Sequence, residues 1–217
     1  MTTTQNVLNA VAGTVAALAL SGGAHAAITT YTTSAAMSAA TSMAATDSFN
    51  NLSIDFLASP ATRVVGPYSY SVSTPGGLYG AGTASDVWLS TSLAGDVLTF
   101  GGFGGGVRAL GGLFFGTDMT GSLLTGQTVT VTASDSTGAT AMLTLANATT
   151  TSFAGFASTA QLTQVQVAIA NTSAWVTANN LTLAVPEPAT WAMWLVGVAG
   201  CGLVARRRQA AAVAGRT

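Results

Sequence analysis

The feature that most constrains this chain is an apolar–polar alternation with a period of two, recurring along its middle. In YSYSVS (68–73), two tyrosines and a valine face one way and three serines the other. Val129, Val131 and Ala133 alternate with Thr128, Thr130 and Thr132, and Val165, Val167 and Ile169 alternate with Gln164 and Gln166. Leu98 and Phe100 share one face of a further short run, and LTLAV (181–185) forms the last. A period of two is the signature of a half-buried strand. Turn-forming residues separate the runs, at Pro75-Gly76-Gly77, Ala94-Gly95-Asp96 and Ser136-Thr137-Gly138. No helical pattern lies between them to supply the crossovers a parallel sheet needs. The expected fold is therefore all-β, an antiparallel β-sandwich over residues 47–185. Ahead of it, residues 27–46 are rich in Ala, Ser and Thr. They read as a flexible leader or as a short helix within 34–45, capped by Thr33 or Ser34.

Both ends of the sequence have a different character. Val11 to Leu20 is an apolar core followed by small residues and Ala24-His25-Ala26. Small residues flanking one variable position suit signal peptidase, so residues 1–26 read as a signal peptide cut after Ala26, with Ala24 and Ala26 as the recognised positions. The first ten residues hold no Lys or Arg, and the terminal amine is their only positive charge. At the other end, neither proline of Pro186-Glu187-Pro188 donates an N–H, so a helix or central strand stops there. Residues 189–205 are uncharged, and Arg206, Arg207 and Arg208 close the run. As a helix this segment spans about 25 Å, close to the roughly 30 Å of bilayer hydrocarbon, with the arginines able to snorkel. It reads as a single C-terminal transmembrane helix with a basic tail over 206–217. A translocated domain with the arginines left in the cytoplasm obeys the positive-inside rule.

The order proline knot, apolar run, arginine cluster resembles the PEP-CTERM sorting signal of exported proteins in Gram-negative bacteria that make exopolysaccharide. That resemblance implies that Pro186, Glu187, Pro188 and Arg206–Arg208 are read by an exosortase, a membrane transpeptidase-like enzyme. It implies cleavage near the proline knot and passage from an inner-membrane intermediate to the outer surface or matrix. The pieces DSFNNL (47–52), SDVWLST (85–91), GGLFFGTD (111–118), SFAGFAS (152–158) and ANNLTLAVPEP (178–188) are similar to a recurrent ectodomain of that family. This similarity implies a jelly-roll-like sandwich, in outline like carbohydrate-binding modules. Where the family often has Asp-Asn before its last strand, this chain has Asn179-Asn180.

The inventory of chemical groups is short. Charged residues make up 6% of the chain, against ~25% in ordinary soluble domains. Lysine is absent, the one cysteine is Cys201 in the apolar tail, and the one histidine is His25 in the leader peptide. Residues 27–185 hold Arg63 and Arg108 against six aspartates, a net charge of −4. Nucleophilic triads lack their base, Schiff-base chemistry lacks its amine, and zinc lacks its ligands. No basic stripe is available for nucleic acid. The glycines of 101–106 formally fit a dinucleotide fingerprint, but strand-like residues follow them, so they read as a turn or bulge. No enzyme activity and no cofactor are expected. Oxygen ligands leave structural calcium as the metal candidate, assembled from residues such as Asp47, Asp118 and Asn180. Trp88 and Trp175, followed by Tyr68, Tyr70 and Tyr79, are the candidate faces for stacking on sugar rings. The leading expectation is a non-catalytic surface or exopolysaccharide-matrix protein that adheres to carbohydrate. Its alternatives are an exported carbohydrate-active enzyme using two aspartates and a permanently anchored envelope protein.

Overall fold

A computed structural model describes residues 27–187. In chain order its elements are β1 (Ile28–Tyr31), α1 (Ser34–Ala39), β2 (Thr41–Asp47), β3 (Phe56–Leu57), β4 (Ala61–Val65), β5 (Tyr68–Ser73), β6 (Leu78–Thr83), β7 (Asp86–Thr91), β8 (Leu98–Gly104), β9 (Ala109–Thr117), β10 (Val129–Asp135), β11 (Thr140–Leu145), β12 (Phe153–Ser158), β13 (Leu162–Ile169) and β14 (Trp175–Pro186). The strands form two sheets. The first runs β1-β12-β9-β14-β7-β6-β3, with β2 added beside β14, and the second runs β11-β10-β13-β8-β5-β4. Every pairing is antiparallel. From β7 onward the chain changes sheet at each strand except within the β10–β11 hairpin. Its last strand, β14, is thereby inserted between β7 and β9.

The alternation seen in the sequence is what closes the sandwich. Tyr68, Tyr70 and Val72 are buried while the serines between them are half-exposed, and Val129, Val131, Val165 and Val167 are buried in the same way. Their partners from the first sheet are Leu89, Leu110, Phe114, Val176 and Ala178, within one cluster. Tyr70 packs on Phe100 at 6.1 Å between ring centroids, and Phe100 on Phe114 at 6.5 Å. The glycines after Phe103 behave as a turn into β9, with Gly105 at φ +77° and Gly106 at φ +72°.

Residues 27–46, expected as a flexible leader or a short helix, are part of the fold, a short helix between two strands. Ile28 to Tyr31 pair with Ser158 to Gly155 of β12, and Thr41 to Asp47 pair with Pro186 to Leu181 of β14. Thr33 does cap a helix, its hydroxyl accepting the Ala36 N–H, but the helix stops at Ala39 rather than continuing through the alanines to 45. The open edge of β14 offers hydrogen bonds that outweigh the helix propensity of alanine, which is worth only tenths of a kcal/mol per residue. Met37 fastens α1 to the outer face of the first sheet, beside Ala109, Phe153, Ala157 and Ala184. It needs Gly111 and Gly155 beneath it, since a Cβ at either would meet the Met37 sulfur at 2.5 and 2.8 Å.

Met37→Ala is expected to lower the unfolding free energy by about 2–5 kcal/mol, read from urea unfolding. A leader that lay outside the fold would show no change.

Candidate functional site

Of the three residues that suggested calcium, Asp47 is already committed. Its Oδ2 accepts hydrogen bonds from Arg63 Nε at 2.7 Å and the Tyr70 hydroxyl at 2.8 Å, and its Oδ1 from Arg63 Nη2 at 2.6 Å and the Phe49 N–H at 3.0 Å. Arg63 Nη2 also donates to Asn51 Oδ1 at 2.8 Å, and the guanidinium lies 5.4 Å from the centroid of the Phe49 ring. Burial alone would raise the Asp47 pKa, but the bonds from Arg63, Tyr70 and the Phe49 N–H overcome it and hold the carboxyl below its ordinary range. Burial and the neighbouring carboxylate push the Tyr70 phenol up, so it remains a donor.

Asp118 lies elsewhere. It is half-buried just past the end of β9, where its Oδ1 accepts from the Thr120 N–H and hydroxyl and from the Ser122 N–H, at 2.8, 2.7 and 3.0 Å. The Thr120 hydroxyl first, and then these amides, lower its pKa. Its neighbour Thr117 pairs with Trp175, five residues ahead of Asn180 on β14. At about 3.3 Å per residue that is roughly 17 Å along the strand. Asn180 is exposed at a bulge, with φ +50°, a conformation that asparagine tolerates well. The structure therefore does not assemble Asp47, Asp118 and Asn180 into a site, and among the described residues no group of three His, Cys, Asp or Glu could hold a metal.

The remaining aspartates also accept hydrogen bonds within the fold. Asp55 Oδ1 accepts from the Phe56 N–H, and Asp96 Oδ2 from the Thr74 hydroxyl and the Gly76 N–H. Asp86 Oδ1 accepts from Asn179 Nδ2. Asp135 accepts from the Ser158 hydroxyl at 2.6 Å, which leads in lowering its pKa, and from Thr137 and the Ala139 N–H. No two of the six accept from the same group.

The two tryptophans are placed differently. Trp88 packs edge-on against the buried Phe115, centroids 4.9 Å apart at 86°, and its indole N–H is buried without a partner. Trp175 opens onto a cleft of about 430 Å³, which it lines with Tyr79, Ile54 and Met119. Its indole N–H donates to the Ser92 carbonyl at 3.2 Å, which fixes the ring. Ser90 and Thr117 also line the cleft, their hydroxyls each 3.0 Å from that of Thr177 in a buried row. The Asp118–Ser122 turn forms one wall, close enough that a Cβ on Gly121 would lie 3.3 Å from Ala81. Tyr68 and Tyr70 are core residues. Residue type alone pointed to Trp175 and Tyr79, as aromatics. Ile54, Met119 and the hydroxyl row had no signal of their own, because loops and cross-strand register bring them there.

The proline knot begins inside the sheet. Pro186 is the last residue of β14, opposite Thr41, and the Glu187 N–H donates to the Ala40 carbonyl at 3.2 Å. Pro186 ends the strand as its missing N–H demands, with a partner on one side only. The signal-peptidase residues Ala24 and Ala26, the segment 1–26, and Pro188, the apolar run 189–205 and Arg206, Arg207 and Arg208 lie outside the described residues. Among the described residues no helix is long and apolar enough to cross a membrane.

Residues 184–209 match the PEP-CTERM protein-sorting motif. The chain thus carries a motif that indicates export and surface sorting in Gram-negative bacteria, with an exosortase as processing partner. No curated protein matches the chain. Among solved structures it is similar to the CBM22-1–GH10 modules of the Clostridium thermocellum N-terminal endo-1,4-β-D-xylanase 10B complexed with xylohexaose, at 15% identity and a TM-score of 0.32. That likeness covers 53% of this chain and 26% of the xylanase chain. A second, to TmCBM61 in complex with β-1,4-galactotriose, has 14% identity and a TM-score of 0.24, covering 54% of this chain and 88% of the other. Both are loose overlaps.

Asp47→Asn is expected to leave the Arg63 charge buried without its counter-ion, at a cost of about 3–5 kcal/mol near neutral pH. Because the folded-state pKa of Asp47 is depressed, its contribution is present above the ordinary value of 3.8 and is lost as pH falls through the lower folded value. Urea titrations from pH 7 downward are therefore expected to show the acid-side loss of stability shallower in the variant than in the parent.

Proposed function

We propose that this chain is a non-catalytic surface or exopolysaccharide-matrix protein. It is exported through an inner-membrane intermediate, processed by an exosortase near Pro186–Pro188, and binds carbohydrate through its β-sandwich. The observation that carries the proposal is the sorting motif over residues 184–209, which starts within the last strand of the folded domain. Pro188, residues 189–205 and Arg206–Arg208 are the parts of the motif that a membrane processing enzyme would read beyond that strand.

The strand order supports a jelly-roll reading. β7 to β14 supply one four-stranded layer ordered β7-β14-β9-β12 and another ordered β8-β13-β10-β11, the arrangement of two interlocked Greek keys. The non-catalytic reading is supported by the six aspartates, each already accepting hydrogen bonds and no two from the same group, and by the absence of His, Lys and Cys from residues 27–187. For carbohydrate, the support is the cleft beside Trp175. It combines a fixed aromatic ring and Tyr79 with a hydroxyl-bearing floor. This pairing suits a sugar, whose C–H faces pack on aromatic rings and whose hydroxyls bond to polar groups. Asp118 on the rim and the net negative charge favour a neutral glycan over an acidic one.

In a host carrying an exosortase, intact-mass analysis is expected to find the surface fraction shortened to a C-terminus near residues 186–188, and the full chain retained in the membrane when the exosortase is absent. Retention of the full tail with the exosortase present would instead identify a permanently anchored envelope protein. On a glycan array the surface form is expected to bind neutral glycans, and Trp175→Ala to weaken that binding tenfold or more. Binding unchanged by Trp175→Ala and by Tyr79→Ala would remove the cleft as the site.

A further inference from the structure

The sorting junction is not on a free linker. Ala184 is held on the β9 side, opposite Ala109 and with its carbonyl accepting the Arg108 N–H at 3.2 Å, while the β2 register is irregular between Leu183 and Val185. Beyond it β9 no longer pairs, and β2 alone holds the chain: Val185 lies opposite Ser42, Pro186 opposite Thr41, and Glu187 bonds to the Ala40 carbonyl. Ala40 and Thr41 are themselves tied to the fold, since the Ala40 N–H and the Thr41 hydroxyl both donate to the Met37 carbonyl, at 3.0 and 2.9 Å. Met37 is seated over Gly111 and Gly155.

We infer that β2 is a positioning strand for sorting: it keeps the backbone at Val185–Glu187 zipped into the sheet, so that the exosortase acts on a form in which this stretch has peeled from β2. The inference rests on the processing reading above. Its physical basis is that an enzyme cutting a peptide must reach the scissile carbonyl and the amides beside it. A backbone already paired with a neighbouring strand does not present them. Peeling Val185–Glu187 from β2 leaves the β9 pairing of β14, and with it the domain core, intact. Thr41 and Ser42 act through the junction's backbone and take no part in the chemistry, which the exosortase supplies.

The test uses the full chain in a Cys201→Ala background, in a host whose membrane carries an exosortase, with processing followed by pulse-chase and intact mass. One variant inserts about six Gly and Ser residues between Val185 and Pro186, which frees the junction from β2. The other is Ser42→Cys with Val185→Cys. These are directly opposed positions, whose Cα separation in an antiparallel pair of ~4.5–5.5 Å is within reach of a disulfide. The insertion is expected to be cut about tenfold faster than the parent, the effect of giving up one or two backbone hydrogen bonds. The oxidised double-cysteine form is expected to stay uncut until reductant is added and then to return to the parental rate. A defect in folding would not be reversed in that way. An insertion cut no faster than the parent, or an oxidised form cut at the parental rate, would overturn the inference while leaving the processing reading in place. A parent that is never cut would overturn the processing reading and this inference with it.

Discussion

Strand β14 depends on hydrogen bonding along both of its edges, and most of the structure's functional geometry depends on β14. β9 lines one edge along most of its length, while β7 takes the first part of the other edge and β2 the last. A central strand is the most restrained place in a sheet, because neither row of backbone groups is left for water. Trp175 stands at the start of this strand, where its ring is fixed beside the cleft. Thr177 follows as the centre of the buried hydroxyl row, and Pro186 ends the strand at the sorting junction. One element thus ties the cleft to the point at which the domain meets its tail.

Few charges are available, and one salt bridge forms among the described residues. The Asp47–Arg63 pair spans the two sheets, β2 contributing the carboxylate and β4 the guanidinium, with Tyr70 of β5 closing the group. Buried ion pairs repay their desolvation only when the remaining hydrogen-bonding groups are also satisfied, and here Asn51 and the Phe49 N–H complete the set. Phe49 takes φ +61° in doing so, an uncommon conformation for a bulky side chain, while its ring is fully buried beneath Arg63. Asp55, Asp96, Asp118 and Asp135 do a simpler job, gathering backbone N–H groups that would otherwise lack partners. The Asp118 turn matters most for the cleft, since it forms one of its walls.

The two-residue alternation made the layered all-β fold legible, because burial on one face of a strand leaves that pattern directly in the chain. It also separated Val129, Val131 and Val165 as core from Thr130, Thr132 and Gln166 as surface. The same reasoning left residues 27–46 between a flexible leader and a short helix and missed the strands on either side of that helix. Their alanines and threonines carry little pattern, and what makes Thr41–Asp47 a strand is the vacant edge of β14, about 140 residues away in sequence. Asp47 was similarly read as a potential ligand because a carboxylate has the same composition whether it faces a metal, a turn or an arginine. Only the pairing of β4 with β5, which sets Arg63 opposite Tyr70, decides among these.

The sequence by itself determined where the domain ends and how it is addressed. Prolines, an uncharged run and an arginine cluster act through local chain properties, and the match over residues 184–209 reports that order. It also determined that residues 27–187 hold no His, Lys or Cys, since folding cannot supply a side chain the sequence lacks. Tertiary structure decided the rest: that Trp175 opens onto a cleft while Trp88 packs on Phe115 with its indole N–H buried, that Asp47, Asp118 and Asn180 stay apart, and that the first residues of the sorting motif lie zipped against β2. These outcomes depend on register and on contacts between distant segments, and a strand's own residues encode which face is buried but not which neighbour will lie beside it.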